Sequence, residues 1–190
     1  MSTAVLASIA LLCACDGGPA AGQSPSPTSP ASESPTASPP SDPSETPADP
    51  RTVAAAGAMA GYRRFVATVD AVAADGGRGD QRLRGVSTGI MLGAELNQAG
   101  IFRTRRWHLV GRKQVVSTKT VRIAPPNAKG VIVEVTVRAC LDSSHATAVD
   151  AAGKSVKKPG TPTRWLDDMR MQFVDGAWKA YYGLNKAAKC

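Results

Sequence analysis

Apolar residues recur at helical spacing in the first part of the folded region and at strand spacing in the rest. Met59, Tyr62, Phe65, Val66, Val69, Val72 and Ala73 lie three and four positions apart, one stripe of a helix that stops at Asp75-Gly76-Gly77. A second helical pattern runs from Leu83 to about Phe102. It carries Gly85, Gly89 and Gly93 at every fourth position, a smooth side suited to close packing against a sheet or the first helix. Arg82, Arg84 and Glu95 interrupt its apolar run and argue against membrane insertion. From Gln114 the period changes to two. Gln114–Ile123 is rich in β-branched residues and ends before Pro125-Pro126, which cannot continue a ladder. Val131, Val133, Val135, Val137 and Ala139 then alternate with Glu134, Thr136, Arg138 and Cys140. Ala146–Asp150 and Lys154–Lys157 read as strands flanking an Asp-Ala-Ala-Gly turn, followed by a loop over Lys158–Thr163. Trp165, Met169, Met171 and Phe173 share a face of a long strand that Asp175-Gly176 turns into Trp178–Leu184. These elements predict an α+β domain, with two N-terminal helices packed on a curved antiparallel sheet of five to six strands.

The first 50 residues follow neither period. They hold ten of the 14 prolines, five acids and no Lys or Arg. The remaining 23 basic and 10 acidic residues therefore give 51–190 a charge of +13, against +8 for the whole chain of 190 residues. Ala4–Leu12 is apolar except for Ser8, which suits the core of an export signal and is too short to span a bilayer. Leu12-Cys13-Ala14-Cys15 resembles a bacterial lipobox, and Cys15 fits the acylated position better than Cys13, which follows the bulky Leu12. Cleavage without lipidation is the alternative. Residues 16–50 are a Pro/Ser/Thr/Ala tract without a large apolar residue and read as a disordered linker, because such a segment cannot bury enough surface to offset its ordering entropy. Its length reaches roughly 30 Å as a coil and about 100 Å when extended. The expected organisation is a signal with a lipobox-like end over 1–15, a linker over 16–50, and one domain over 51–190.

Helix, helix and long meander resemble the nuclear-transport-factor-like cone fold, and the closing half is similar to actinobacterial secreted or lipid-anchored proteins of that fold. The residues that carry the likeness are Val135–Asp142, the Asp150–Gly153 turn, Val174–Lys179 and Cys190. It covers most of 59–190 and implies shape more than activity.

If Cys13 leaves with a signal and Cys15 is acylated, Cys140 and Cys190 remain and only one pairing is open to them. Outside the membrane such a pair oxidises, and the bridge contributes on the order of 4 kcal/mol on the chain-entropy model.

Gly85-Val86-Ser87-Thr88-Gly89 matches the G-x-S-x-G pattern, with Asp142 and His145 following in hydrolase order. An elbow requires a strand before the serine, whereas Ser87 falls in a helical pattern, so the match reads as chance. His108 and His145 have no partner at metal-ligand spacing, and no metal or cofactor is expected. The cone-fold resemblance implies an acid or histidine base within the cavity, for which Asp167 and Asp168 are the candidates, Asp167 sharing the parity of Trp165 and Met169. The plainer reading is an exposed acid on a strand edge. Arg103, Arg105, Arg106, Arg112 and Lys113 are candidates for a basic patch that contacts an anionic surface. Interleaved aromatics for stacking are missing, so no nucleic acid is expected, and lipid headgroups or wall polymers are the nearer anions. A solvated face is the alternative.

The function expected is an exported, lipid-anchored, non-enzymatic binding or assembly module at the outer face of the cytoplasmic membrane or in the cell wall, with an unknown protein partner. Three alternatives stand beside it. Tyr62, Phe65, Trp165, Met169 and Met171, with Asp167, line a cavity for a small apolar ligand; the domain is a cone-fold isomerase or dehydratase; or it is part of a secretion or conjugation assembly.

Overall fold

A computed structural model describes residues 48–186 and 190. The segments expected to be an export signal and a linker, with the lipobox-like Cys15, lie outside the described residues up to position 47. The domain consists of α1 (Pro50–Ala74), a 3-10 turn (Asp80–Gly85), α2 (Gly89–Arg105) and six strands: β1 (His108–Gly111), β2 (Gln114–Ile123), β3 (Glu134–Asp142), β4 (Ala146–Val149), β5 (Arg164–Val174) and β6 (Ala177–Lys186).

The last residues of the proline-rich tract begin the fold. Asp49 caps α1, its carboxylate accepting the backbone N–H groups of Arg51 and Thr52 at 3.2 Å, and Pro50 occupies the first turn, where its missing N–H costs nothing. The helix thus starts well before the stripe at Met59, because its first turns are rich in Ala and Gly and carry little periodicity. It ends as the glycines predict. Gly76 and Gly77 take φ of +65° and +78°, and a Cβ on Gly77 would sit 2.1 Å from the Ala99 carbonyl of α2.

All strand pairs are antiparallel, in a four-stranded sheet of order β2-β3-β5-β6 and a two-stranded sheet β1-β4. The expected single sheet is broken at matching points of two strands. The β2–β3 ladder stops at Gln114 and Asp142, and β1–β4 begins at Gly111 and Ala146. Gly111, at φ +79°, passes so near the His145 carbonyl that a Cβ would lie 1.7 Å from its oxygen. Asp175 and Gly176 both have positive φ, the primed turn that matches strand twist and joins β5 to β6.

Two expected strand segments differ. Val131–Val133 precede β3, because the Asn127 side chain accepts the N–H groups of Lys129 and Val131 and holds 127–131 as a loop; Val131 is exposed and Ile132 is buried instead. Of Lys154–Lys157, only Ser155 forms an isolated bridge, to Val149, after the turn that the Asp150 carboxylate closes on Ala152 and Lys154. β2 is an outer strand, and its ladder is irregular at Val116 and Val121, both exposed; with Lys119 and Arg122, these irregularities blunt the edge against pairing with another chain.

The core lies between α1 and the inner face of the four-stranded sheet: Ala54, Ala58, Tyr62, Phe65 and Val66 meet Val135, Val137, Met171, Trp178 and Ala180. The close approach is made by glycines other than those the sequence pattern singles out. A Cβ on Gly57 would lie 2.6 Å from Trp178 Nε1, and one on Gly61 would lie 2.7 Å from Trp178 Cβ and 2.8 Å from its carbonyl oxygen. At Gly85 and Gly93 a Cβ would meet nothing within 4 Å, and of that trio only Gly89 packs closely, against Tyr181. The smooth side of α2 is therefore not the packing face; α1 supplies it.

Two thiols complete the architecture. Cys140 and Cys190 form a disulfide with Cα atoms 5.8 Å apart, tying the end of the chain to the central strand β3.

Two glycine substitutions should move stability in opposite directions. Gly61→Ala forces a methyl into the Trp178 backbone and is expected to cost about 1–3 kcal/mol despite better helix propensity. Gly93→Ala meets open space within a helix and should gain about 0.5–1 kcal/mol. Urea unfolding midpoints read both, and equal shifts for the two variants would contradict the packing described.

Candidate functional site

Strand parity places Asp167 between Trp165 and Met169 on the inner face of β5, with Asp168 on the outer face. Asp167 borders a cavity of about 220 Å³ whose lining also includes Phe65, Met91, Glu95, Lys113, Trp165 and Met169. The fully buried Tyr62 donates its hydroxyl to Asp167 Oδ2 at 2.8 Å. Burial pushes the Asp167 carboxyl above the usual carboxylate range, and the Tyr62 hydrogen bond and Lys113 only partly oppose it. Burial, followed by the Asp167 charge, raises the Tyr62 phenol, so its proton stays on the tyrosine.

Glu95 reaches the same cavity from α2. Its carboxyl is also raised, chiefly by burial and further by Asp167 and Asp70, with Lys113 pulling the other way. Lys113 is the cation in this group, and it is already engaged. Its ammonium lies 3.0 Å from Asp70 Oδ1, and its backbone N–H donates to Asp70 Oδ2 at 2.7 Å. The site thus joins two carboxyls whose proton affinity burial raises, a tyrosine that hydrogen-bonds one of them, and a lysine shared with a third acid. It can hold or pass a proton, but its volume falls below the roughly 300 Å³ at which drug-sized ligand pockets begin.

The structure brings together four of the six residues proposed for a ligand pocket. Phe65, Trp165, Asp167 and Met169 line the cavity, whereas Tyr62 and Met171 are wholly enclosed in the core and line nothing. Asp167 is no exposed edge acid. Glu95 and Asp70 are the residues that sequence reasoning missed as site groups. Their signal was present: Glu95 sits four positions after Met91 and Asp70 four after Val66, charged side chains on otherwise apolar helical stripes.

The basic residues separate. Arg103 pairs with Asp80 at 2.9 Å, Arg105 lies over the Trp107 ring at 5.2 Å, and Arg106 ends α2 in the left-handed region at φ 56°. Arg112 and Lys113 follow β1, and Lys113 is turned to Asp70 instead of joining a free basic face. Ser87 lies outside a helix, in a single-residue bridge to Ala180, and its buried hydroxyl donates to the Leu83 carbonyl at 2.8 Å. Asp142 is engaged elsewhere, accepting the Ser144 N–H at 2.8 Å and facing Arg164 at 3.6 Å. Among the described residues no cluster of three His, Cys, Asp or Glu side chains is placed to hold a metal, and no helix is long and apolar enough to cross a membrane.

No protein-family model and no curated protein matches the chain. A solved structure does. The intermembrane-space region of the chloroplast protein ARC6 superposes with a TM-score of 0.53 at 13% identity, over 74% of this chain and 98% of that one. This likeness establishes a shared α+β fold, helices on an antiparallel sheet, in two chains with little sequence in common.

The two neighbouring aspartates should contribute to stability in opposite pH windows. The Asp167 carboxyl is raised, so the folded state holds its proton more tightly and stability falls as pH rises from the ordinary carboxylate range through the raised value. Asp168 is lowered from 3.8 to about 2 by a two-pronged bond from Arg138 at 2.6 and 2.7 Å, with Lys186 at 2.9 Å, so its contribution is present above 3.8 and lost as pH falls toward 2. Asp167→Asn should therefore gain in thermal midpoint relative to the parent as pH rises above the ordinary carboxylate value of about 4. Parallel profiles for the two proteins through that rise would refute a raised carboxyl at Asp167.

Proposed function

We propose that this protein is an exported, lipid-anchored binding or assembly module of the cone fold, without an enzymatic role, working at the outer face of the cytoplasmic membrane or within the wall. The observation that carries this reading is the Cys140–Cys190 disulfide. Such bonds persist in oxidising compartments and are rare in a reducing cytosol. The apolar segment Ala4–Leu12 and the lipobox-like Cys15 supply the route and the anchor, and the tract over 16–50 supplies reach. The charge of +13 over 51–190 draws the domain toward anionic lipids and wall polymers. Release without acylation gives a secreted form of the same module.

A second reading rests on the cavity. Asp167 and Glu95 both border it with raised proton affinities, Tyr62 holding Asp167 from the core behind, and a buried acid of this kind is suited to act as a proton-transfer group. The same charges disfavour an apolar ligand, since binding one would strip solvent from Glu95 and Lys113 without replacing it.

Metabolic labelling with an alkyne fatty acid tests the anchor. Label is expected on the parent chain and on Cys13→Ser, and should disappear in Cys15→Ser. Thiol counting of the exported protein under denaturing conditions is expected to find Cys140 and Cys190 unreactive. Two free thiols at those positions, or label that survives Cys15→Ser, would overturn the proposal.

A further inference from the structure

A larger concavity lies on the other side of Lys113. It measures about 530 Å³ and is walled by the second half of α1, the 3-10 turn and the link from β1 to β2. Four cationic side chains border it: Arg63, Arg82, Arg112 and Lys113. Two of these are neutralised within the groove, Lys113 by Asp70 at 3.0 Å and Arg82 by Asp75. Arg63 and Arg112 are not. Arg63 donates to the Val115 carbonyl at 3.3 Å and to the Thr118 hydroxyl at 3.0 Å, neutral acceptors that fix its position without cancelling its charge. Arg112 is exposed and makes no ion pair among the described residues.

The groove is built, not incidental. Gly111 has no room for a side chain beside the His145 carbonyl, and the Lys113 N–H is bonded to the buried Asp70 at 2.7 Å, so Arg112 is held between two fixed points. Along α1 the floor between the charged side chains is made by Ala67, Ala71 and Ala74, small residues that leave the volume open.

Two uncompensated guanidinium groups in one concavity match a doubly charged anion with several acceptor oxygens, the geometry that arginine recognises in two-point fashion. The volume exceeds what a bare inorganic ion needs and fits an ion that carries a small organic group. We propose that this groove binds a phosphate ester, with Arg63 and Arg112 contacting the phosphoryl oxygens and the alanine floor receiving the organic part. The chemistry is shared by a free phosphate ester and by a phospholipid headgroup. The site is separate from the Asp167 cavity and does not depend on acylation at Cys15.

The test uses the full chain with its disulfide intact and Cys15→Ser, so that no lipid anchor contributes. It is titrated at low ionic strength with glycerol 1-phosphate and with phosphatidylglycerol vesicles, phosphatidylcholine vesicles serving as the blank. Saturable binding to at least one phosphate probe is expected, and Arg112→Ala should weaken it about tenfold, as loss of one charge-assisted contact implies. Arg105→Ala, which removes a cation outside the groove, should leave affinity within about twofold. Arg112 is exposed and makes no ion pair among the described residues, so its substitution keeps the fold; Arg63→Ala, checked by circular dichroism, provides the second variant. Binding of glycerol 1-phosphate assigns a free ester, and binding confined to vesicles assigns the headgroup. No saturable binding to either probe, or equal losses for Arg105→Ala and Arg112→Ala, would overturn the proposal. Failure of the fatty-acid labelling would sink the anchor and leave this result unchanged.

Discussion

The contact between Trp178 and the Gly57–Gly61 face of α1 sets the distance between helix and sheet. Any side chain at these two positions would run into the indole or the β6 backbone, so the helix lies nearer the sheet here than ordinary apolar residues allow. At the very next residue, that same spacing delivers the Tyr62 hydroxyl to Asp167 at 2.8 Å. A helix standing farther off would leave Asp167 buried and without its donor, a cost of about 1–3 kcal/mol for an unsatisfied polar group and more for a charged one. The small-residue face of α1 and the acid inside the sheet are thus parts of one arrangement.

The two faces of β5 show how environment separates chemically identical groups. Asp167 and Asp168 are neighbours in sequence, yet one is pushed up by burial and the other is drawn down by Arg138 and Lys186. The register of the sheet does this, because Arg138 on β3 stands directly opposite Asp168. On the inner side, Glu95 and Lys113 arrive from other elements and make the cavity electrostatic where strand parity alone describes it as apolar. Lys113 links that cavity to the basic groove, its lysine head and backbone N–H both directed to Asp70.

Much of the fold was legible where the physics is local. The β5–β6 hairpin follows from Asp175-Gly176, whose left-handed conformations few residue pairs accept, and β2 stops where Pro125-Pro126 removes two donors. The inward set Val135, Val137 and Ala139 follows from alternation alone and is buried as expected. Legibility failed where small residues carry the packing. Gly57 and Gly61 leave no hydrophobic signal, whereas Gly85, Gly89 and Gly93 have regular spacing and mostly open space around them. The division into two sheets was also hidden, because it arises from a close pass of Gly111 against His145, far along the chain.

Composition and period alone fix that a proline-rich tract without Lys or Arg precedes a strongly basic α+β domain, and that two helices come before the strands. These are properties of composition and short-range period, which every residue carries with it. Which charges matter depends on how the elements pack. Asp70, Glu95 and Lys113 are ordinary polar residues until α1, α2 and the β1–β2 link set Lys113 against Asp70 and bring Glu95 and Lys113 to the cavity that Asp167 borders, and Arg63 and Arg112, far apart in the chain, border a common groove. The energy of a charge depends on its burial and its neighbours, and neither is a property of its place in the chain.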